Sequence, residues 1–424
     1  MPISRRYFLK SSGLSLFGAG LVPSFLRRTA FAMDQPARRK VLVAIFQRGA
    51  ADGLNIVAPF GEKNYYSLRP TIAIPEPTQR SDNGPSALDL NGFFGLHPSL
   101  SSLKPLYDSG HLAVIHAAGS PDSTRSHFDA QDYMETATPG VKSTPDGWLN
   151  RLLQSTPQAD ATPFRAVAFA SSMPRTMMGA ASCLCTQNLQ GFHLGGNAHR
   201  PARGVQLVEG AFEEMYAASS DHLLSSTAQE TFEAISVLQK IQVGAYQPEN
   251  GAEYPRSPLG RSLQQIALLL KSDVGLELAF AQNGGWDNHV NEGGVKGQLA
   301  NRLQDFGDSL AAFYRDMGER MADVTVLTMS EFGRTARENG NRGTDHGHAH
   351  AMFALGGSVK GGKVYGDWPG LRDDQLHEAR DLALTTDFRD VFAEVATRHL
   401  GMKNPGAIFP GYSVSPARFR GFLA

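Results

Sequence analysis

Two stretches of the chain concentrate groups that bind cations. GGWDNHV, residues 284–290, carries Asp287 and His289 two positions apart, and GTDHGHAH, residues 343–350, carries Asp345, His346, His348 and His350. Carboxylate oxygen and imidazole nitrogen together suit Zn, Mn, Ca or Mg, the choice depending on ligand count and geometry. At most two of the three late histidines are expected to be ligands, with His350 a packed or solvated bystander. Other loops add further groups: Asp52 after the first apolar run, Ser123 to Ser126 before a helix starting near His127, and Glu331 after VTVLTMS. Each also has a plainer role. Asp52–Gly53 is a common turn pair, Ser126 suits a helix N-cap, and Glu331 is placed to pair with Arg334 or Arg337 on the surface.

The elements that must position these groups follow from hydrophobic pattern. VLVAIF from residue 41, LAVIHA from 112, RAVAFA at 165–170, LELAFA at 276–281, VTVLTMS at 324–330 and AMFALGG at 351–357 read as buried strands. Between them lie helical segments: one around Leu100–Tyr107, one from about His127, one over 299–320 with apolar residues at 299, 303, 306, 310 and 313, and one over 385–401. Strands alternating with helices predict an α/β fold, a doubly wound and mostly parallel sheet flanked by helices. Residues 33–424 are expected to form one domain, with 140–275 as an inserted, cap-like segment. In such a sheet ligands bind at the carboxyl ends of the strands, which is where the loops carrying Asp52, Ser126, Asp287 and Glu331 fall.

Residues 1–32 resemble a twin-arginine export signal. Arg5–Arg6 is followed by Phe8, Leu9 and Lys10, then by an apolar stretch too short and too rich in Gly and Ser for a stable membrane span, and by a small-x-small site ending at Ala32. The expectation is cleavage after Ala32 and a periplasmic or otherwise exported protein, with the twin-arginine translocase as its partner during export. Without the segment's five basic residues, 35 of 40 basic side chains remain against 41 acidic ones, a net of −6. That balance argues against nucleic-acid binding. The two cysteines, Cys183 and Cys185, stand too close in sequence for an unstrained disulfide and are read as packing residues.

HPSLSSLKPLYDSGHLAVIHAAGSPDSTRSHFDAQ is similar to the layout of sulfatases: a helix, a turn, a strand, then a nucleophile loop opening a helix. GGWDNHV ahead of a long helix and GTDHG ahead of a short strand resemble the metal-binding segments of the alkaline phosphatase-like superfamily. The whole mature chain, through its RGAADGLN, SEFGRT and GTDHG boxes and its TTDFRDVFAEVATRHLG terminus, resembles an exported family named domain of unknown function 1501, placed in that superfamily. One departure stands out: Glu331–Phe332 occupies the place of an expected Asp-His pair. There is also no Cys-x-Pro-x-Arg of the formylglycine sulfatases.

The resemblance implies an exported metal-dependent hydrolase of a phosphate or sulfate ester on a small molecule or glycan, acting by in-line displacement. Asp52, Asp287, His289, Glu331, Asp345, His346 and His348 would hold one or two divalent ions. Ser126 would be the nucleophile, with Thr124 and Ser123 as runners-up, its charge favoured by the metal and the helix N-terminus. Arg125 or Arg334 would brace the non-bridging oxygens. The alternative is a non-catalytic exported binding protein with at most a structural metal. A nucleotide-dependent oxidoreductase is disfavoured, because QRGAADG lacks the G-x-G-x-x-G fingerprint.

Overall fold

The computed structural model describes residues 39–77, 84–158, 161–191 and 243–424, with single positions between 234 and 241. Residues 1–32, expected to be an export signal, lie outside the described residues. A nine-stranded sheet forms the centre. Its strands are β1 (Val41–Arg48), β2 (Leu112–Gly119), β3 (Ala166–Phe169), β4 (Leu184–Thr186), β5 (Leu278–Gly284), β6 (Val324–Met329), β7 (His350–Gly356), β8 (Lys363–Tyr365) and β9 (Thr386–Asp387). The order is β8-β2-β7-β6-β1-β5-β3-β4, with β9 also pairing with β2.

β1 shows why the sheet is buried on both sides. Its odd residues Val43 and Ile45 join one core cluster and its even residues Leu42, Ala44 and Phe46 join another. A strand apolar at every position needs a layer on each face. The helices supply those layers: α3 (Pro258–Lys271) and α4 (Gln298–Met317) pack on the first face, and α2 (Trp148–Ser155) and α5 (Phe388–Glu394) on the second. The period read in α4 is realised, since Leu299, Leu303, Phe306, Leu310 and Phe313 are all buried. The expected helix over 385–401 is shorter. α5 ends at Glu394 and a π-turn, Val395–His399, carries the chain on. The stretch near Leu100–Tyr107 divides into a 3-10 turn, Pro98–Leu100, and a short helix, Lys104–Asp108.

The sheet is mostly parallel, as expected, and β7 is the strand that runs antiparallel to both its neighbours, β2 and β6. Its beginning therefore lies at the carboxyl ends of the parallel strands, and the loop before it enters the same crevice as the loops after β1, β2, β5 and β6. The described parts of 140–275 are not a cap. β3 pairs with β5 and with β4 inside the central sheet, and α2 and α3 bury their apolar faces against it. Residues 192–233 lie outside the described residues. Cys183 and Cys185 pack at half-buried positions against the second core cluster.

Two core histidines set an acid limit on this architecture. His116 on β2 donates through Nε2 to the Val57 carbonyl at 3.2 Å, and His399 donates to the Val41 carbonyl at 2.9 Å. Burial pushes both imidazoles down to about 4. An unfolded imidazole titrates near 6.5, so between those values the unfolded chain binds more protons than the folded one. Stability is therefore complete above pH about 6.5 and falls as pH drops toward 4, by on the order of 1 kcal/mol per pH unit for each group. Urea midpoints should fall from pH 7 to pH 5, and His399→Gln should flatten that slope by about one proton. A midpoint independent of pH over this range would show that both rings carry protons in the fold.

Candidate metal centre

Five loops meet at the crevice, the one after β6 carrying Glu331. After β1 the chain turns sharply at Gly49, where φ is +117° and an added Cβ would lie 2.7 Å from the Asp287 amide nitrogen. Only glycine permits that approach. α1 (His127–Thr136) starts after β2, with Ser126 as its N-cap. Asp287 and His289 follow β5, and the 343–349 loop precedes β7.

His127, Asp287 and His346 each offer a ligand atom within 4.8 Å of the other two. His289 adjoins this group through Nε2, which lies 3.0 Å from Asp287 Oδ1 and 2.9 Å from His346 Nε2. His346 Nε2 and His127 Nε2 lie 3.2 Å and 3.5 Å from the same Asp287 oxygen. Tetrahedral ligands on bonds of about 2.0–2.1 Å sit about 3.3 Å apart, and these separations bracket that value.

The outer nitrogen of each ring has its own partner. His127 Nδ1 lies 2.8 Å from Glu331 Oε1, His289 Nδ1 is 3.1 Å from Asp345 Oδ1, and His346 Nδ1 is 2.8 Å from the Arg125 carbonyl oxygen. Acceptors at all three Nδ1 atoms assign the proton to Nδ1 and leave the Nε2 lone pairs aimed inward. Metal-binding histidines are oriented in this way. With those tautomers two lone pairs face each other 2.9 Å apart between His289 and His346, a repulsion that a cation bound by both, an extra proton or an Nε2–H tautomer of one ring would relieve. His127 Nε2 is buried with no hydrogen-bond partner among the described residues.

The electrostatics are arranged around the same point. Partial burial works to raise the Asp287 pKa, but the Arg334 hydrogen bond and charge outweigh it and hold the carboxyl below its usual range. Burial pushes the His346 imidazole down, while the bond to Glu331 raises His127. Burial opposes ionisation of Glu331, yet bonds from His127 and Gln131 keep its pKa low. Asp345 is kept low in the same way by Asn339 and His289.

Several residues singled out from sequence have other partners. Asp52 is buried and forms a two-bond pair with Arg69, at 2.5 and 2.9 Å, so it is not at the centre. Glu331 and Asp345 stand behind His127 and His289, not among the inward-facing atoms. His348 is buried and stacks on His377, the rings 4.2 Å apart. His350 is fully buried. The Arg125 guanidinium is engaged by Glu378 and Asp381, both at 2.6 Å. Arg334 is buried and bonds the carbonyls of Gly49, Ala50, Trp286 and Thr344 as well as Asp287, so it is not free to brace an anion, whereas both bonds of Arg125 are made by Nη2 and its Nε has no hydrogen-bond partner among the described residues. The Ser126 hydroxyl accepts the Asp129 amide at 3.4 Å, and Thr124 Oγ1 accepts the Ser126 amide at 3.3 Å.

Two roles escaped sequence reading. His127 is the inward-facing imidazole from α1, and its only signal is its place at the first turn of a helix opening into the crevice. Phe332, standing where an imidazole was expected, is the surface on which the site is packed. It stacks against His127 at 5.1 Å and lies 5.0 Å from the His346 ring.

With this geometry in view, comparison with protein families finds one whose model matches residues 39–409, described as Protein of unknown function (DUF1501). The chain belongs to this family. The match spans the central sheet and every residue of the candidate centre in this DUF1501 member. No curated protein matches the chain. Among the described residues, no helix is long and apolar enough to cross a membrane.

If Glu331 fixes His127 for a cation, Glu331→Gln should weaken zinc binding by roughly 10–100-fold while the fold persists. Calorimetric titration of zinc into the two proteins checks this, and equal affinities would remove Glu331 from the centre.

Proposed function

We propose that this protein is an exported, metal-dependent hydrolase of a phosphate or sulfate ester, with its metal held by His127, Asp287, His289 and His346. The observation that carries the reading is the meeting of inward-facing imidazole lone pairs on one carboxylate oxygen, each ring oriented by an acceptor at Nδ1. Charge supports it. Asp287, Glu331 and Asp345 bring three negative charges and Arg334 one positive, leaving two that a divalent ion would neutralise. Imidazole donors favour Zn over Mn, Ca or Mg. With Asp52 paired to Arg69 and His348 stacked elsewhere, the donor set suits one ion in place of two.

A divalent ion here would supply Lewis acidity toward an ester oxygen and would activate a nucleophile. Asp287 and His289 are open to solvent on one side, with side chains 47% and 39% exposed, which leaves room for substrate. Ser126 is the nucleophile in this reading. Its hydroxyl sits one residue before His127 at the positive end of α1, held only by a long capping bond. Thr124 is the alternative. The crevice at the carboxyl ends of a mostly parallel sheet, with a nucleophile loop opening a helix, is what an alkaline phosphatase-like fold would place there. The twin-arginine segment supports export through that translocase to the periplasm, where a small-molecule or glycan ester would be the substrate.

One observation favours a second reading, a non-catalytic exported binding protein with at most a structural metal. Arg334, one of the two arginines expected to brace a transferred group, is fully bound within the protein.

Elemental analysis of protein purified without chelators separates these possibilities. One equivalent of zinc is expected in the wild type, lost in His127→Ala, Asp287→Ala and His346→Ala. Ser126→Ala should keep the metal, cost about 1 kcal/mol as a lost cap, and abolish ester hydrolysis. Metal without hydrolysis of any phosphate or sulfate ester would favour the binding protein, and no metal after reconstitution would remove the hydrolase reading.

A further inference from the structure

Three polar side chains of α1 reach the loops after β1 and β6 and their neighbours. His127, Gln131 and Glu135 stand four residues apart, so they share one face of the helix. The first two meet the same atom. Glu331 Oε1 accepts hydrogen bonds from His127 Nδ1 at 2.8 Å, Gln131 Nε2 at 2.9 Å and the Gly49 amide at 2.8 Å. Gln131 is itself held from its other end. Arg48, the last residue of β1, donates from Nη1 to Gln131 Oε1 and from Nη2 to Glu135 Oε1, both at 2.8 Å, and from Nε to Gln282 Oε1 at 3.1 Å.

These partners leave the Gln131 amide one orientation. A guanidinium has no acceptor and an ionised carboxylate no donor, so the amide oxygen must face Arg48 and the amide nitrogen must face Glu331. The Glu331 carboxylate, by contrast, turns on a terminal torsion with a broad minimum, and its Oε1 stays at His127 Nδ1 because Gly49 and Gln131 both donate to it. Tying α1 to β1 does not require the Gln131 bond, since Arg48 already pairs with Glu135. We propose that Gln131, braced by Arg48, is a positioning residue that fixes the Glu331 carboxylate and thereby holds His127 in the tautomer whose Nε2 lone pair faces the metal. The use of that lone pair rests on the metal centre proposed above.

Nitrogen NMR of the metal-free full chain, labelled in histidine and assigned with His127→Asn, reads this tautomer without any turnover. The wild type should carry the His127 proton on Nδ1. Gln131→Met, which keeps the length and removes the donor, should give a mixture of tautomers. In calorimetric titration it should weaken zinc binding by about tenfold, the low end of what losing an outer partner costs. Arg48→Met should move the tautomer in the same direction, and the double variant should go little further than Gln131→Met alone. Asp132→Ala, which removes the Arg175 pair at the neighbouring position of α1, should leave the tautomer as it is, whereas a role confined to holding the helix would make both variants move it. Gln131→Asn, one methylene too short to span Arg48 and Glu331, repeats the test should the methionine disturb the fold. An unchanged tautomer in Gln131→Met and Gln131→Asn would overturn the proposal whatever the zinc affinity. A changed tautomer in a protein whose wild type binds no zinc would support the hold of Gln131 on His127 and overturn the metal-centre reading.

Discussion

The geometry of the crevice depends on one buried cation. Arg334, 1% exposed, donates to the carbonyls of Gly49, Ala50, Trp286 and Thr344 and to the Asp287 carboxylate. Those acceptors come from the loops after β1 and β5 and the loop before β7. A guanidinium has five donors in a rigid plane, and this one uses them to fix three segments distant in sequence. Carbonyl oxygens left in a closed interior without partners would each carry a desolvation cost, so Arg334 satisfies the loops and places them in the same act. Its charge also keeps Asp287 ionised where three imidazoles converge.

A second buried pair does parallel work one layer away. Arg69 binds both oxygens of Asp52 and donates to the carbonyls of Thr335 and Ala336. It thereby fixes the start of the 335–345 loop against the turn after β1. Breaking such a pair from one side strands a charge in the interior. The crevice is thus braced by two arginines that face carbonyl oxygen, and the histidines are mounted on the framework they hold.

The sheet was readable because fully apolar runs such as VLVAIF have few other places to go, and the period of α4 pointed to its buried face residue by residue. Asp287, His289 and His346 were readable as a group because their types and loop positions agree. The misassignments share one cause: sequence shows what a side chain can do but not which partner reaches it first. Asp52 is matched to Arg69 across 17 residues, and nothing in that spacing signals a pair. Arg334 has the chemistry of an anion brace and the surroundings of a structural clamp. His127 was overlooked because a histidine at a helix start looks like capping, and only the reach of β2 brings it to Asp287. The reversal of β7 left no mark in its short apolar run, since direction is set by the neighbours it joins.

The inward-facing imidazoles come from residues 127, 289 and 346, carried by segments that meet only when β2, β5 and β7 are in one sheet. No short fragment of the chain holds two of them. Ion capture at the proposed centre would therefore be coupled to completion of the fold. Which first-row metal fills such a site is set by geometry, ligand type and supply more than by raw affinity. If the chain leaves the cytosol already folded, as the proposed export route implies, the ion would be chosen by the compartment of synthesis, and the protein would arrive at its destination with that choice already made.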